Sequence, residues 1–190
     1  GGRAGRPAAV TVTVRGPGFR LRRAEPDDVE FLASLAVNDE IAPFLAFASP
    51  RDADAFLAEI ERAEASPHEY GRFIIEVDDG ERLWSAGSVA FDVANRRSRI
   101  ANLYGLMLHP DFRGRGLARV ATEAFTRHLV ADLNYHRVEL ECYGYNGHAI
   151  AHFERCGFVR EGVKRKAYWR HGEWVDGVLL GFVREDLSAG

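Results

Sequence analysis

Arg113-Gly114-Arg115-Gly116-Leu117-Ala118 follows the apolar run Leu106-Met107-Leu108 and a His109-Pro110 break, and it opens an amphipathic stretch that reaches Leu133. A strand that ends in a glycine-rich turn and hands over to a helix makes a cradle for phosphate. The first N–H groups of a helix have no partners within it, and the macrodipole makes that end attractive to anions. Gly114 and Gly116 allow close approach of the main chain to a bulky pyrophosphate, and Arg113 and Arg115 add charge. Two nucleotide loops do not fit. A Walker A loop needs Lys-Ser/Thr where Leu117-Ala118 stand, and a dinucleotide fingerprint needs a third glycine where Arg119 stands.

Working outward, Leu117, Val120, Ala121, Ala124, Phe125, His128 and Leu129 recur at helical spacing, which predicts a helix with that face buried. Next, His136 to Tyr143 alternates as a strand, with Val138, Leu140 and Cys142 on one side and Glu139, Glu141 and Tyr143 on the other. Asn146 is a good N-cap for a helix carrying Ile150 and Phe153 on one face, and Gly157 suits its C-terminal cap. Val159 to Trp169 and Trp174 to Val183 form a hairpin turning at His171-Gly172. Upstream, Phe73 to Val77 and Arg82 to Asp92 flank the Asp78-Asp79-Gly80 turn, and Ile100 to Leu108 leads into the phosphate loop. Before these, Val10 to Val14 and Phe19 to Arg22 belong to a first strand ending near residue 23. Pro26 opens a helix with Val29, Leu32, Leu35 and Ala36 inward, and Ser49-Pro50-Arg51-Asp52 reads as an N-cap, a proline at N1 and a capping-box acid before Phe56, Leu57 and Ile60. The order β-α-α-β-β-β-α-β-α-β-β predicts a mixed, mostly antiparallel sheet with helices packed on it, without repeats.

Composition narrows the class. The 190 residues, 46% of them hydrophobic, are enough for one well-buried core, expected over residues 10–187 after a leader at 1–9 outside the fold. No apolar run suits a membrane span, and a net charge of −3 lacks the basic excess of a nucleic-acid binder, so neither membrane nor nucleic acid is expected as a partner. Cys142 and Cys156 are too few for a disulfide framework or zinc site and read as small core residues, which suits a cytoplasmic protein.

Arg113, Gly116 and Ala118 match Arg/Gln-x-x-Gly-x-Gly/Ala, and the segment Asn146 to Phe158 (Asn146-Gly147-His148-Ala149-Ile150-Ala151-His152-Phe153-Glu154-Arg155-Cys156-Gly157-Phe158) keeps N-x-x-S/A-x-x-x-[aromatic]-E-[K/R]-x-G-F in register. Together they resemble the GNAT N-acetyltransferases. Phe19-Arg20-Leu21-Arg22, Pro26-Asp27-Asp28, the run Gly157 to Gly162 and Asp176 to Leu180 are similar to the branch that acetylates ribosomal-protein N-termini, the RimJ/RimL-like branch. The resemblance implies an α/β (α+β) GNAT fold of about six to seven strands and about four helices, with a splay between the strands on either side of the phosphate-loop helix. It also implies acetyl-CoA as acyl donor, held by Leu106, Met107, Leu108, Arg113, Gly114, Arg115, Gly116, Leu117, Ala118, Asn146, Ala149 and Phe153. Transfer would be direct, to a primary amine on a small molecule or a protein N-terminus, in a ternary complex. A backbone N–H of Met107 or Leu108 would hold the developing oxyanion. For Asn146, a plain N-cap role stands equally open.

Two family features are missing. Leu103 stands where many relatives carry a glutamate base, and Phe153 where many carry a tyrosine that protonates the thiolate. Glu141 and Tyr143 are the candidates for proton transfer, ahead of Tyr104, His148 and His152, and bound water could serve instead. These gaps leave a non-catalytic acyl-CoA sensor as the alternative. His109 and Asp111 read as turn residues. His148 and His152 lack a third ligand, and no metal is expected. The acceptor site is expected around the apolar connection 41–48 with Phe44 and Phe47, and around Tyr143, Tyr145, Trp169 and Trp174. The connection could equally be a core plug. Lys164-Arg165-Lys166 reads as solvated, and the chain as a monomer or homodimer.

Overall fold

The computed structural model describes residues 13–45 and 51–188. The expected leader, Phe47 and the Ser49-Pro50 helix start lie outside the described residues. Eight strands form one sheet in the order β1-β2-β3-β4-β5-β6-β8-β7: β1 (Thr13–Gly16), β2 (Phe19–Arg23), β3 (Tyr70–Asp78), β4 (Leu83–Asn95), β5 (Ile100–Leu108), β6 (Arg137–Tyr143), β7 (Val159–Arg170) and β8 (Glu173–Val183). The expected first strand is a β1–β2 hairpin, because Gly16-Pro17-Gly18 turns the chain back and pairs Val14 with Leu21. That adds a strand to the number expected. All pairs are antiparallel except β5 with β6.

Helices cover both faces. On one lie α3 (Leu117–Arg127), continued by a π-helical turn at His128–Asp132, and α4 (Gly147–Arg155). Phe73, Phe91, Leu103, Leu117, Phe125, Leu129, Leu140, Phe153 and Phe182 share a single apolar core beneath them. Val120 departs from the expected stripe. It is 42% exposed, while Thr122 and Thr126 are buried, so the buried face is rotated slightly toward the threonines. On the other face lie α1 (Val29–Ala36) and α2 (Ala53–Ala65), over a smaller cluster of Leu32, Leu35, Ile41, Phe56, Ile60, Ile74 and Met107. The cap of α2 is Asp52, whose carboxylate accepts from the Ala55 N–H at 2.9 Å, so the helix starts later than the proline suggested.

Two irregularities shape the centre. The β5–β6 pairing covers only Ile100–Asn102 against Arg137–Glu139, and beyond it the strands diverge. This is the splay expected between the strands that flank α3. Between Ala90↔Tyr104 and Ser88↔Met107 the β4–β5 register slips by one residue, a bulge centred on Gly105 at φ +59°.

Candidate active site

The loop expected to hold phosphate grows out of the end of β5. His109 accepts the Asp111 N–H at its Nδ1, 3.3 Å away, and orders the turn as expected of both residues. Gly114 and Gly116 have φ of +77° and +75°, where side chains are strained, and a Cβ on either would meet nothing within 4 Å. The space above both is open. The first α3 bond runs from the Val120 N–H to the Gly116 carbonyl at 3.2 Å, so the N–H groups of Leu117, Ala118 and Arg119 emerge from the helix end. Arg115 is exposed beside them. Arg113 reaches the Leu108 carbonyl with Nε at 3.3 Å and Glu40 with Nη1 at 2.9 Å, so a bound anion would have to draw it off a surface carboxylate.

Backbone geometry at the mouth of the gap separates the two expected oxyanion donors. The His109 N–H donates to Ala86 on β4 at 2.8 Å. Alternation along an antiparallel strand then turns the Leu108 N–H away from β4, toward the gap. The Met107 side chain is buried in the smaller cluster, whereas Leu106 and Leu108 pack at the margin of the larger one. Across the gap, the Asn146 side chain accepts from the Ala149 N–H at 3.2 Å, which fulfils the cap, and Phe153 is buried against Phe158. Leu103 lies in the core beneath α3 and α4.

The proton-transfer candidates fare differently. Glu141 is held by the Lys164 ammonium at 2.6 Å. Tyr143 is buried, stacks on Tyr145 with ring centres 5.4 Å apart, and accepts from Arg170 Nε at 2.7 Å. Because Arg170 is the donor, the Tyr143 hydroxyl keeps its own proton to give. Burial pushes the Tyr104 phenol up to about 12, which keeps it protonated at neutral pH. His152 bonds to Thr122 Oγ1 at 3.0 Å, and burial with the Arg155 charge lowers its basicity, so it remains neutral and tied to α3. His148 is exposed on α4.

The apolar connection bridges the splay's far wall. Ile41 is buried in the smaller cluster, the Tyr145 hydroxyl donates to the Pro43 carbonyl at 2.7 Å, and Arg170 Nη2 donates to the Leu45 carbonyl at 3.1 Å. Phe44 remains 45% exposed above Tyr145, so within residues 41–45 the connection is core at Ile41 and open at Phe44. Trp169 and Trp174 do not join this wall. They pack edge to face at the hairpin tip and are 59% and 54% exposed. Beside them, Arg165 and Lys166 border an open hollow on edge strand β7, where a bulge is pinned by the Asp176 carboxylate accepting from the Lys166 N–H at 2.8 Å. Among the described residues no group of His, Cys, Asp and Glu could hold a metal ion, and no helix is long and apolar enough to cross a membrane. Sequence reasoning missed Arg72, Glu59 and Ser88, a buried polar group under the β5 bulge. The only signal was a charged residue inside each of two apolar patterns.

Residues 19–159 match the model of the acetyltransferase (GNAT) domain family. A prophage-derived uncharacterized N-acetyltransferase of Bacillus subtilis is 27% identical over 174 residues, covering 91% of this chain and 94% of that protein. Spermidine N(1)-acetyltransferase of Vibrio cholerae is 27% identical over 156 residues, covering 82% and 87%. Two solved structures share the fold. Spermidine N-acetyltransferase from Vibrio cholerae in complex with CoA and spermine has a TM-score of 0.77 at 24% identity, covering 90% of this chain and 98% of that one. A ribosomal-protein alanine acetyltransferase from Vibrio fischeri has a TM-score of 0.77 at 18% identity, covering 92% and 98%.

Proposed function

From a chain that belongs to the GNAT acetyltransferase family, and is an N-acetyltransferase, we infer that the acetyl group passes from acetyl-CoA directly to a primary amine in a ternary complex. The observation that carries this reading is the loop itself. Two glycines at positive φ, open space above them and three outward N–H groups at the start of α3 lead straight into the gap that the Leu108 N–H faces. Those residues fit a pyrophosphate, and the gap fits an extended arm paired to main chain.

Bound acetyl-CoA would supply an acyl group already activated as a thioester. The chain's own part is to orient and to stabilise charge. Leu106 and Leu108 offer main-chain partners along the arm, and the Leu108 N–H, a fixed dipole, stabilises the oxyanion as the neutral amine attacks. Tyr143 carries the proton available to the departing thiolate, in place of the tyrosine absent at Phe153. Glu141 accepts the amine's proton through water while Lys164 holds it in place, since direct contact would require breaking that ion pair. Asn146 and Ala149 at the start of α4, and Phe153 within it, line the arm's other side.

The acceptor is a small-molecule amine or a peptide N-terminus, and polyamines are the first compounds to try because relatives at 27% and 23% identity are spermidine acetyltransferases. Thiol release from acetyl-CoA is measured against polyamines, alanyl peptides, aminoglycosides and amino sugars. Release with at least one is expected, whereas CoA binding without release from any would overturn the reading. Gly116→Val strains an αL position and fills the phosphate approach, so it should fold and lose CoA binding at least about 10-fold by calorimetry. Unchanged affinity would displace the loop assignment.

A further inference from the structure

Arg72 on β3 is fully buried beneath α2. Its Nε donates to Glu59 Oε1 at 2.7 Å, and its Nη1 donates to Ser88 Oγ on β4 at 3.2 Å and to the Gly105 carbonyl on β5 at 3.1 Å. The rings of Phe56 and Tyr104 stand 5.3 and 5.4 Å from the guanidinium carbon. A Cβ on Gly105 would lie 2.9 Å from Nη1 and 3.0 Å from Nη2, so the bulge is built around this guanidinium. Burying an ion pair is weak support for stability, because well-packed apolar residues of similar size often do as well or better. What an apolar pair could not do is tie three adjacent strands together at one point.

We propose that Arg72 is a positioning residue for acyl transfer, which locks the β5 bulge through the Gly105 carbonyl and so turns the Leu108 N–H into the gap. The proposal rests on the reading of Leu108 as oxyanion donor. The register shows what the bulge decides. With Tyr104 opposite Ala90, an unbulged β5 would place Leu108 rather than His109 opposite Ala86. A one-residue slip inverts the direction of every later peptide, and the Leu108 N–H would then be spent on β4. Glu59 fixes the guanidinium plane from α2, and Arg51 holds the second oxygen of Glu59.

Two variants test this. Arg72→Lys keeps a cation beside Glu59 but cannot span both that carboxylate and the Gly105 carbonyl. Arg72→Met/Glu59→Met removes both members of the fully buried pair and deprives only the partly exposed Arg51 of a carboxylate, which keeps a folded control should the first variant fold poorly. Each is compared with wild type for kcat, KM for the amine, CoA affinity by calorimetry, and backbone hydrogen exchange of the peptide spanning residues 103–109. Misplacing a reacting group by about 1 Å costs about 100-fold. In both variants kcat should therefore fall by about 10- to 100-fold, with CoA affinity within about threefold and faster exchange in that peptide. If the double variant folds and retains kcat within about twofold, or exchanges like wild type in that peptide, Arg72 is only a structural residue. Absence of turnover in wild type would sink the acetyl-transfer reading instead, and hydrogen exchange would still decide the role of Arg72.

Discussion

Strand β3 sends Phe73 and Ile75 to one face of the sheet and Arg72, Ile74 and Glu76 to the other, and the two faces are held by different physics. Under α3 and α4, Phe125 meets Phe73 and Phe91 edge to face with ring centres 5.1 and 6.1 Å away, inside an apolar core at whose margin the buried His128 ring, 5.7 Å from Phe73, bonds the Asp132 carboxylate of its own helical turn at 2.7 Å. Under α1 and α2, Ile74 is flanked by Arg72 bound to Glu59 and by Glu76 bound to Arg20 and Arg22. Apolar packing is non-directional and scales with area, so the first face supplies cohesion and carries α3 with its glycine turn. Buried charge is directional and costly unless satisfied, so on the second face the small apolar cluster supplies the cohesion while the ion pairs add little net stability and fix where strands and helices stand. The loop proposed for the acyl donor rests on the first face, and the bulge proposed to aim the Leu108 N–H rests on the second.

The largest effect expected from this contrast is at Phe125. Phe125→Ala deletes a fully buried ring with no polar group to rearrange, and should cost about 3–5 kcal/mol in chemical denaturation. A cost below about 2 kcal/mol would mean that the apolar face relaxes easily, and the contrast between the faces would lose its basis. A smaller effect is expected at Glu76. Burial alone would raise its carboxyl, but donation from Arg20 and Arg22 outweighs burial and holds it below the ordinary carboxylate range. Arg22 in turn grips Asp28 with both terminal nitrogens, at 2.7 and 2.8 Å, and Asp28 caps the entry to α1 by accepting the Glu25 N–H at 2.8 Å. Glu76→Gln keeps the shape and removes the charge, so it should cost about 1–3 kcal/mol at pH 7. The sign with pH follows from the lowered folded value. The stabilisation is present above the unfolded carboxylate range and is lost as pH falls below about 4.5, so wild type and variant should converge in acid. Curves that stay parallel down to pH 3 would show that Glu76 is not held ionised by the fold.

The same contrast explains what was legible in the sequence. The larger core was readable because Phe125 and Leu129 recur at helical spacing and Val138, Leu140 and Cys142 alternate, and periodicity reports apolar burial directly. The glycine turn ahead of α3 was readable because its geometry is local, a matter of two glycines and a helix start within six residues. Val120 was misread as buried because Thr122 and Thr126 take inward positions that a hydrophobicity pattern assigns to solvent. Arg72, Glu59 and Ser88 were not legible at all. Arg72 is 13, 16 and 33 positions from Glu59, Ser88 and Gly105, and nothing in a charged residue within an apolar run says which distant partner satisfies it. The bulge escaped notice for a related reason, since Gly105 sits in an otherwise ordinary strand pattern and its φ is set by a guanidinium from another strand.

The smallest effect probes a polar bridge between the two helices of the apolar side, where His152 on α4 meets Thr122 on α3 at 3.0 Å, with Cys156 Sγ 3.7 Å from the same ring nitrogen. Burial, reinforced by the Arg155 charge and opposed by Glu123, lowers the histidine below its ordinary value of 6.5. An unfolded chain therefore takes up the proton first as pH falls, and the folded state loses stability from about pH 6.5 downward. His152→Gln preserves a side chain able to bond Thr122 and cannot titrate. Thermal melts between pH 7.5 and 5 should show a shallower decline of Tm for the variant than for wild type, with near-equal values at pH 7.5. Since His152 adjoins Phe153, the comparison also reaches the site. CoA affinity should stay constant for the variant across that range and weaken for wild type in acid, because a charged imidazole would strain the α3–α4 packing that seats Phe153. Identical Tm slopes would mean that the ring is protonated in place without penalty, and that this face tolerates charge as the other does.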